Sequence, residues 1–154
     1  MNHADTKVED IWHMMIGGKP KVGAIAERAR QTSMRDVEMF SEMTGDRNPL
    51  HYDAALASKS PFGGLIVQGG VTSGLLNAIV AEDLPGPGSV FLGVEWRFVK
   101  AGKVGELITG RVEVTNVRGD KPICTIATSI RNENGEDCLV GTAVTYTVPL
   151  RRRG

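Results

Sequence analysis

Residues 69–83 read GGVTSGLLNAIVAED. Val71, Leu75, Leu76, Ile79 and Val80 recur at helical spacing, with Gly74 and Ala78 placed among them. A helix that is apolar or small almost all the way round is expected to be buried on most sides. Its small residues would let a sheet wrap closely around it. Pro85 and Pro87 follow and end it, because proline lacks the amide that a helix interior needs.

Four strand-like runs lie beyond that helix. In SVFLGVEWRFV, residues 89–99, alternation puts Val90, Leu92, Val94, Trp96 and Phe98 on one face and Glu95 and Arg97 on the other. LITGRVEVTNV groups Ile108, Val112 and Val114 against Arg111 and Glu113. ICTIATSI groups Cys124, Ile126 and Ile130, and LVGTAVTYTV places Val140, Val144, Tyr146 and Val148 on one side. Turn chemistry connects the last three: Arg118-Gly119-Asp120 precedes Pro122, and Asn134-Gly135 is a hairpin signal.

On the other side of the helix, residues 24–30, AIAERAR, alternate like a strand. Ser33 to Asp36 matches a capping box that opens a helix, with a face of Val37, Phe40, Ser41 and Thr44. Gly45 can end it just after the C-cap. Asp53 can cap a short second helix, AALAS, before the loop Pro61–Gly64. The expected class is therefore α+β, with one curved antiparallel five-stranded sheet wrapped around one long buried helix. A single helix leaves the sheet edges open, and pairing edge to edge with a second copy would close one of them, so a homodimer is expected.

The chain has 154 residues, which fits one domain able to bury about 70% of its unfolded surface. We divide it into an N-terminal arm at 1–21, a domain at 22–149 and a basic tail at 150–154. Trp12, Met14 and Met15 are the arm's candidates for packing. Lys and Arg total 18 and Asp and Glu total 18, so no net field favours nucleic acid or a membrane surface. The N-terminus carries no apolar run behind a basic start, and no stretch reaches 18 apolar residues, so a cytoplasmic protein without a membrane span is expected. Cys124 and Cys138 lie in strands, away from any His cluster, and His3, His13 and His51 lie apart. No metal, and no redox cofactor, is expected from such a pattern.

Residues 40–53, FSEMTGDRNPLHYD, stand out against this scaffold. Gly-Asp-x-Asn-Pro is good turn sequence, since Asp and Asn mimic backbone turns and Pro fixes φ. His51 gains nothing from a solvated turn. A rigid Asn-Pro between Asp46 and His51 would hold two proton-transfer groups at a fixed separation, as acid–base chemistry on one water requires.

The same stretch resembles the signature of the hydratase 2 family, the MaoC-like dehydratases, whose best-known members are (R)-specific enoyl-CoA hydratases. FGGLIVQGG, LPGPGSVFLG and GDKPICT resemble later segments of that family, and the likeness runs from about Val22 to Val148. The resemblance implies a hot-dog fold. It also implies addition of water to a trans-2-enoyl-CoA to give an (R)-3-hydroxyacyl-CoA, and the reverse dehydration, with coenzyme A carried by the substrate. Asp46 and His51 match the family's catalytic pair, and Gly69 matches the glycine whose N–H receives the thioester oxygen. Asn48 matches the motif's Asn and supports the loop.

Three positions depart from the family pattern. Gln68 stands where His is frequent, Gly70 where a bulky apolar residue is usual, and Asn77 where a Ser often supports the aspartate. These changes bear on acyl-chain preference. Other readings remain: a dehydratase of a branched dicarboxylyl-CoA or an acyl carrier protein thioester, a hot-dog thioesterase, or a non-catalytic acyl-CoA binder. Fold alone does not separate them. The Asp-x-Asn-Pro-x-His loop favours hydration.

Overall fold

The computed structural model describes residues 11–150; residues 1–10 and 151–154, the latter holding all of the expected basic tail at 150–154 but Leu150, lie outside it. Strand β1 (Ile25–Gln31) is followed by helix α1 (Met34–Thr44), a 3₁₀ turn (Pro49–His51), the short helix α2 (Ala54–Ser58) and the central helix α3 (Gly69–Glu82). Strands β2 (Ser89–Phe98), β3 (Leu107–Val117), β4 (Ile123–Asn132) and β5 (Asp137–Thr147) complete the chain. The five strands form one antiparallel sheet in the order β1-β3-β4-β5-β2, which leaves β1 and β2 as its edges. Helix α3 crosses the sheet and touches β1, β2, β3 and β4 as well as α1. This is the α+β hot-dog arrangement.

The capping signals operate as expected. Ser33 accepts the Asp36 N–H while the Asp36 carboxylate accepts the Ser33 N–H, and Gly45 closes α1 with a left-handed φ of 85°. Asp53 caps α2 by accepting the Leu56 N–H. The β4–β5 hairpin turns where Asn134-Gly135 placed it, with Gly135 at φ 77° and Asn132 Oδ1 accepting two backbone N–H groups.

Helix α3 is less enclosed than its composition suggested. Thr72, Leu75, Leu76, Ile79 and Val80 are buried, whereas Asn77 is exposed and Gly70, Gly74 and Ala78 are half-buried. Its large side chains, not its small ones, face the sheet. Close approach comes from the strand instead: a Cβ on Gly110 of β3 would stand 2.9 Å from Ile79 Cδ1. The small residues face the region of α1, leaving a groove of about 290 Å³ bordered by Met39, Phe40, Met43, Val71 and Ala78.

Strand β2 also departs from simple alternation. Its register against β5 shifts between Phe91 and Gly93. After the shift Val94, Trp96 and Phe98 pair with Ala143, Gly141 and Leu139, on the core side as expected. Before it, Phe91 pairs with the buried Thr145, so Phe91 and not Val90 or Leu92 shares the inner face. The Phe91 and Trp96 rings meet edge to face at 5.6 Å and pack on the core. Val90 and Leu92 remain exposed. On β5, Val140, Val144 and Tyr146 do share a side, but it is the outer one; Cys138, Leu139, Ala143, Thr145 and Thr147 are the buried residues. Trp12 and Met15 join the core, while Met14 stays at the surface.

Candidate active site

The loop after α1 is held from both ends. Thr44 Oγ1 donates to the Phe40 carbonyl and accepts the Asp46 N–H. Ser41, one turn earlier, donates to the Asp46 carbonyl at 2.6 Å. Asp46 Oδ1 accepts the Asn48 N–H at 3.1 Å, and Asn48 Oδ1 accepts the Leu50 N–H at 3.2 Å. Asn48 is thus the cap of the 3₁₀ turn, and Pro49 supplies its first residue. Its side chain shapes the loop, in line with a supporting role.

The 3₁₀ turn delivers His51 inward. Its side chain is 7% exposed, against 40% for Asp46. His51 Nδ1 lies 2.7 Å from the Ile66 carbonyl. A carbonyl only accepts, so Nδ1 carries the proton and Nε2 is the free nitrogen of the neutral ring. Nε2 lies 3.9 Å from Asp46 Oδ2. That distance is too long for a direct hydrogen bond and leaves the two acceptors facing one another across a gap that a water can bridge.

The segment before α3 is clamped to this loop and to the β2–β3 connection. The Ile66 N–H donates to Leu50 and the Val67 N–H to Gly102. Gln68 precedes the helix and is fully buried. It offers α3 no side-chain cap; its amide turns away to Val37 and Ser41. The first helical amides therefore have no intrahelical acceptor, and neither the Gly69 nor the Gly70 N–H is hydrogen-bonded among the described residues. Gly69 stands beside the Phe98 ring, which a Cβ would meet at 3.2 Å. At Gly70 a Cβ would overlap the Phe40 ring, so Phe40 fills the space a bulkier residue would take. A second groove, of about 430 Å³, lies between Phe62, Ile66, Phe98, Lys100 and Lys103.

Asp46, Asn48, His51, Gln68 and Gly69 are thus gathered by hydrogen bonds and chain continuity at one end of α3. Asn77 is not: it is exposed about two helical turns further on, and among the described residues no hydrogen bond joins it to Asp46 within the chain. Ser41, Tyr52 and the Ile66 carbonyl were missed in the sequence. Only Ser41 left a signal there, as a polar residue on the buried face of α1. No group of three His, Cys, Asp or Glu side chains among the described residues could hold a metal ion. Among the described residues no helix is long and apolar enough to cross a membrane.

Comparison with known proteins shows the family and the fold. Residues 17–134 match the MaoC like domain. The chain is 36% identical over 124 residues to an (R)-specific enoyl-CoA hydratase of Aeromonas caviae, covering 80% of this chain and 92% of that protein. It is also 36% identical over 97 residues to a 3-hydroxybutyryl-CoA dehydratase of Methylorubrum extorquens, covering 63% of this chain and 62% of that one. Among solved structures, the (R)-hydratase of A. caviae involved in PHA biosynthesis superposes with a TM-score of 0.81 at 35% identity, covering 84% of this chain and 98% of the other. Fold and relatives together define a hot-dog hydro-lyase, an enzyme of the hydratase and dehydratase class. The chain belongs to the MaoC-like dehydratase family.

Proposed function

We propose that the protein adds water across trans-2-enoyl-CoA to give (R)-3-hydroxyacyl-CoA, and catalyses the reverse dehydration, with Asp46 and His51 gripping one water. The observation that carries this reading is the 3.9 Å gap between Asp46 Oδ2 and His51 Nε2, with the imidazole tautomer fixed by the Ile66 carbonyl. A water there donates one proton to each acceptor, which directs an oxygen lone pair at C3. As the C3–O bond forms, the water gives a proton to the pair, the C2–C3 π electrons move onto the thioester, and the pair returns a proton to C2. One water is consumed and none of the protein is altered. The enolate oxygen accepts the Gly69 N–H at the positive end of α3. The groove beside Phe98 takes the thioester arm, with Lys100 and Lys103 near its phosphates.

The working unit is a homodimer in this reading, supported by the unpaired β2 edge and its exposed Val90, Leu92, Val94 and Phe98. Incubation with crotonyl-CoA tests the activity. Loss of enoyl absorbance with formation of (R)-3-hydroxybutyryl-CoA is the expected outcome. Release of free thiol in its place would reassign the site to a thioesterase, and binding without either change would leave an acyl-CoA binder.

A further inference from the structure

Gln68 sits one residue before the Gly69 amide and is 1% exposed. Its Nε2 donates to the Val37 carbonyl at 3.1 Å and to Ser41 Oγ at 3.2 Å. The Val37 carbonyl only accepts, so the amide nitrogen must face it and the orientation of the side chain is settled. Ser41 has one hydroxyl proton, which goes to the Asp46 carbonyl. Its lone pairs then receive the Gln68 N–H and the Tyr52 hydroxyl, which also contacts it. Every hydrogen-bonding capacity of Ser41 is used, and the direction runs from Gln68 through Ser41 to Asp46.

Gln68 Oε1 tells a different story. It is buried with no partner among the described residues. An orphaned acceptor of this kind costs folding free energy that an apolar side chain would not. The amide carries this cost alongside its two hydrogen bonds, one of which reaches the residue that holds the Asp46 carbonyl.

We infer that Gln68 is a positioning residue: acting through Ser41, it holds the Asp46 backbone and so sets the separation of Asp46 from His51. One side chain thereby ties the start of α3, where the thioester oxygen is received, to the loop that grips the water. The inference rests on the hydratase reading above. A His at this position, frequent in the family, can offer Ser41 the same N–H.

Gln68→Met keeps the length of the side chain and removes the donor together with the orphaned oxygen. We expect kcat to fall about 10- to 100-fold, as small misplacements of reacting groups do, with KM changed by less than about two-fold and only a modest drop in melting temperature from the two hydrogen bonds lost. Gln68→His should recover most of the rate. Ser41→Ala should lose at least as much, and the double variant should be no worse than Ser41→Ala alone, because both act on one chain of contacts. The substrate-free readout is the crystal structure of Gln68→Met, in which the separation of Asp46 Oδ2 from His51 Nε2 should widen from 3.9 Å. A Gln68→Met enzyme with wild-type kcat and an unchanged Asp46–His51 separation overturns the inference. So does a lowered melting temperature with full turnover per folded molecule. A wild-type protein inert on every enoyl thioester ends the hydratase reading instead, and the Asp46–His51 separation in Gln68→Met still reports whether Gln68 places Asp46.

Discussion

Asp46 and His51 face the same gap from different surroundings, and this governs how each tolerates replacement. Asp46→Asn keeps the side-chain shape and its acceptor toward the Asn48 N–H, so folding should be close to normal. His51→Ala empties a buried site and strands the Ile66 carbonyl, so some stability should go. Positioned acid–base catalysis contributes about 10²–10⁴-fold, so each variant should lose at least about 100-fold in hydration rate. The losses should not add if, as proposed, both groups hold one water, and the double variant should be little worse than the worse single. Rates and melting temperatures measured on the same preparations decide the matter: intact activity with lowered stability would return the loop to a plain turn. At this scale the sequence was informative because Asp46, Asn48 and His51 lie within six residues, where spacing carries geometry. Ser41 and Gln68 are 27 residues apart and meet only through the packing of α1 on α3, which no local pattern records.

At the scale of elements, caps and turns were legible because their chemistry is local, while the phase of β2 was not. Val90, Leu92 and Val94 read as continuous alternation, yet the register shift before Gly93 turns the first two away from the core. The signal present was the glycine itself, since an isolated glycine in a strand often marks a bulge. On β5 Val140, Val144 and Tyr146 occupy the outer face while Thr145 and Thr147 are buried, so polarity pointed to the wrong side. Gly141 shows how tightly these two strands join. It pairs with Trp96, and a Cβ there would overlap the Glu95 carbonyl oxygen, which belongs to backbone and cannot swing aside. Gly141→Ala should cost about 2 kcal/mol or more, about 5 °C in melting temperature for a chain of this size; an unchanged melting curve would refute the contact. The strand cysteines make a second, pH-dependent case. Burial alone pushes the Cys124 thiol up to about 11, and burial is the largest cause raising Cys138 as well. A raised folded value means the native state holds its proton where the unfolded chain releases it. Stability is therefore full below about pH 9 and should fall as the pH climbs toward 11. Thermal melts across that range should show the decline, weaker in Cys124→Ala, and the native thiols should resist alkylation at pH 8.

For the whole molecule, the sheet ends in β2, whose outer edge has no strand partner among the described residues. Val90 and Leu92 are 54% and 58% exposed along it, and Val94 and Phe98 on the concave side are also exposed. An open strand edge with apolar side chains invites pairing with another strand, and a second copy offers the same edge in a self-complementary, two-fold arrangement. Phe98 also stands against Gly69, so whatever covers β2 lies next to the amide assigned to the thioester oxygen. Association and turnover should consequently be linked. Sedimentation at micromolar concentration should give a species of twice 16.6 kDa. Leu92→Lys is the sharper test, because Leu92 falls in the register shift and has no partner on β5, so a lysine there costs the single chain little. It places a charge on the pairing edge, which should shift the sedimenting species to the single chain, leave the far-ultraviolet spectrum intact and lower the hydration rate. A wild-type protein that sediments as one chain at full activity would remove the dimer, and a monomeric Leu92→Lys variant with undiminished turnover would show that each chain carries a complete site.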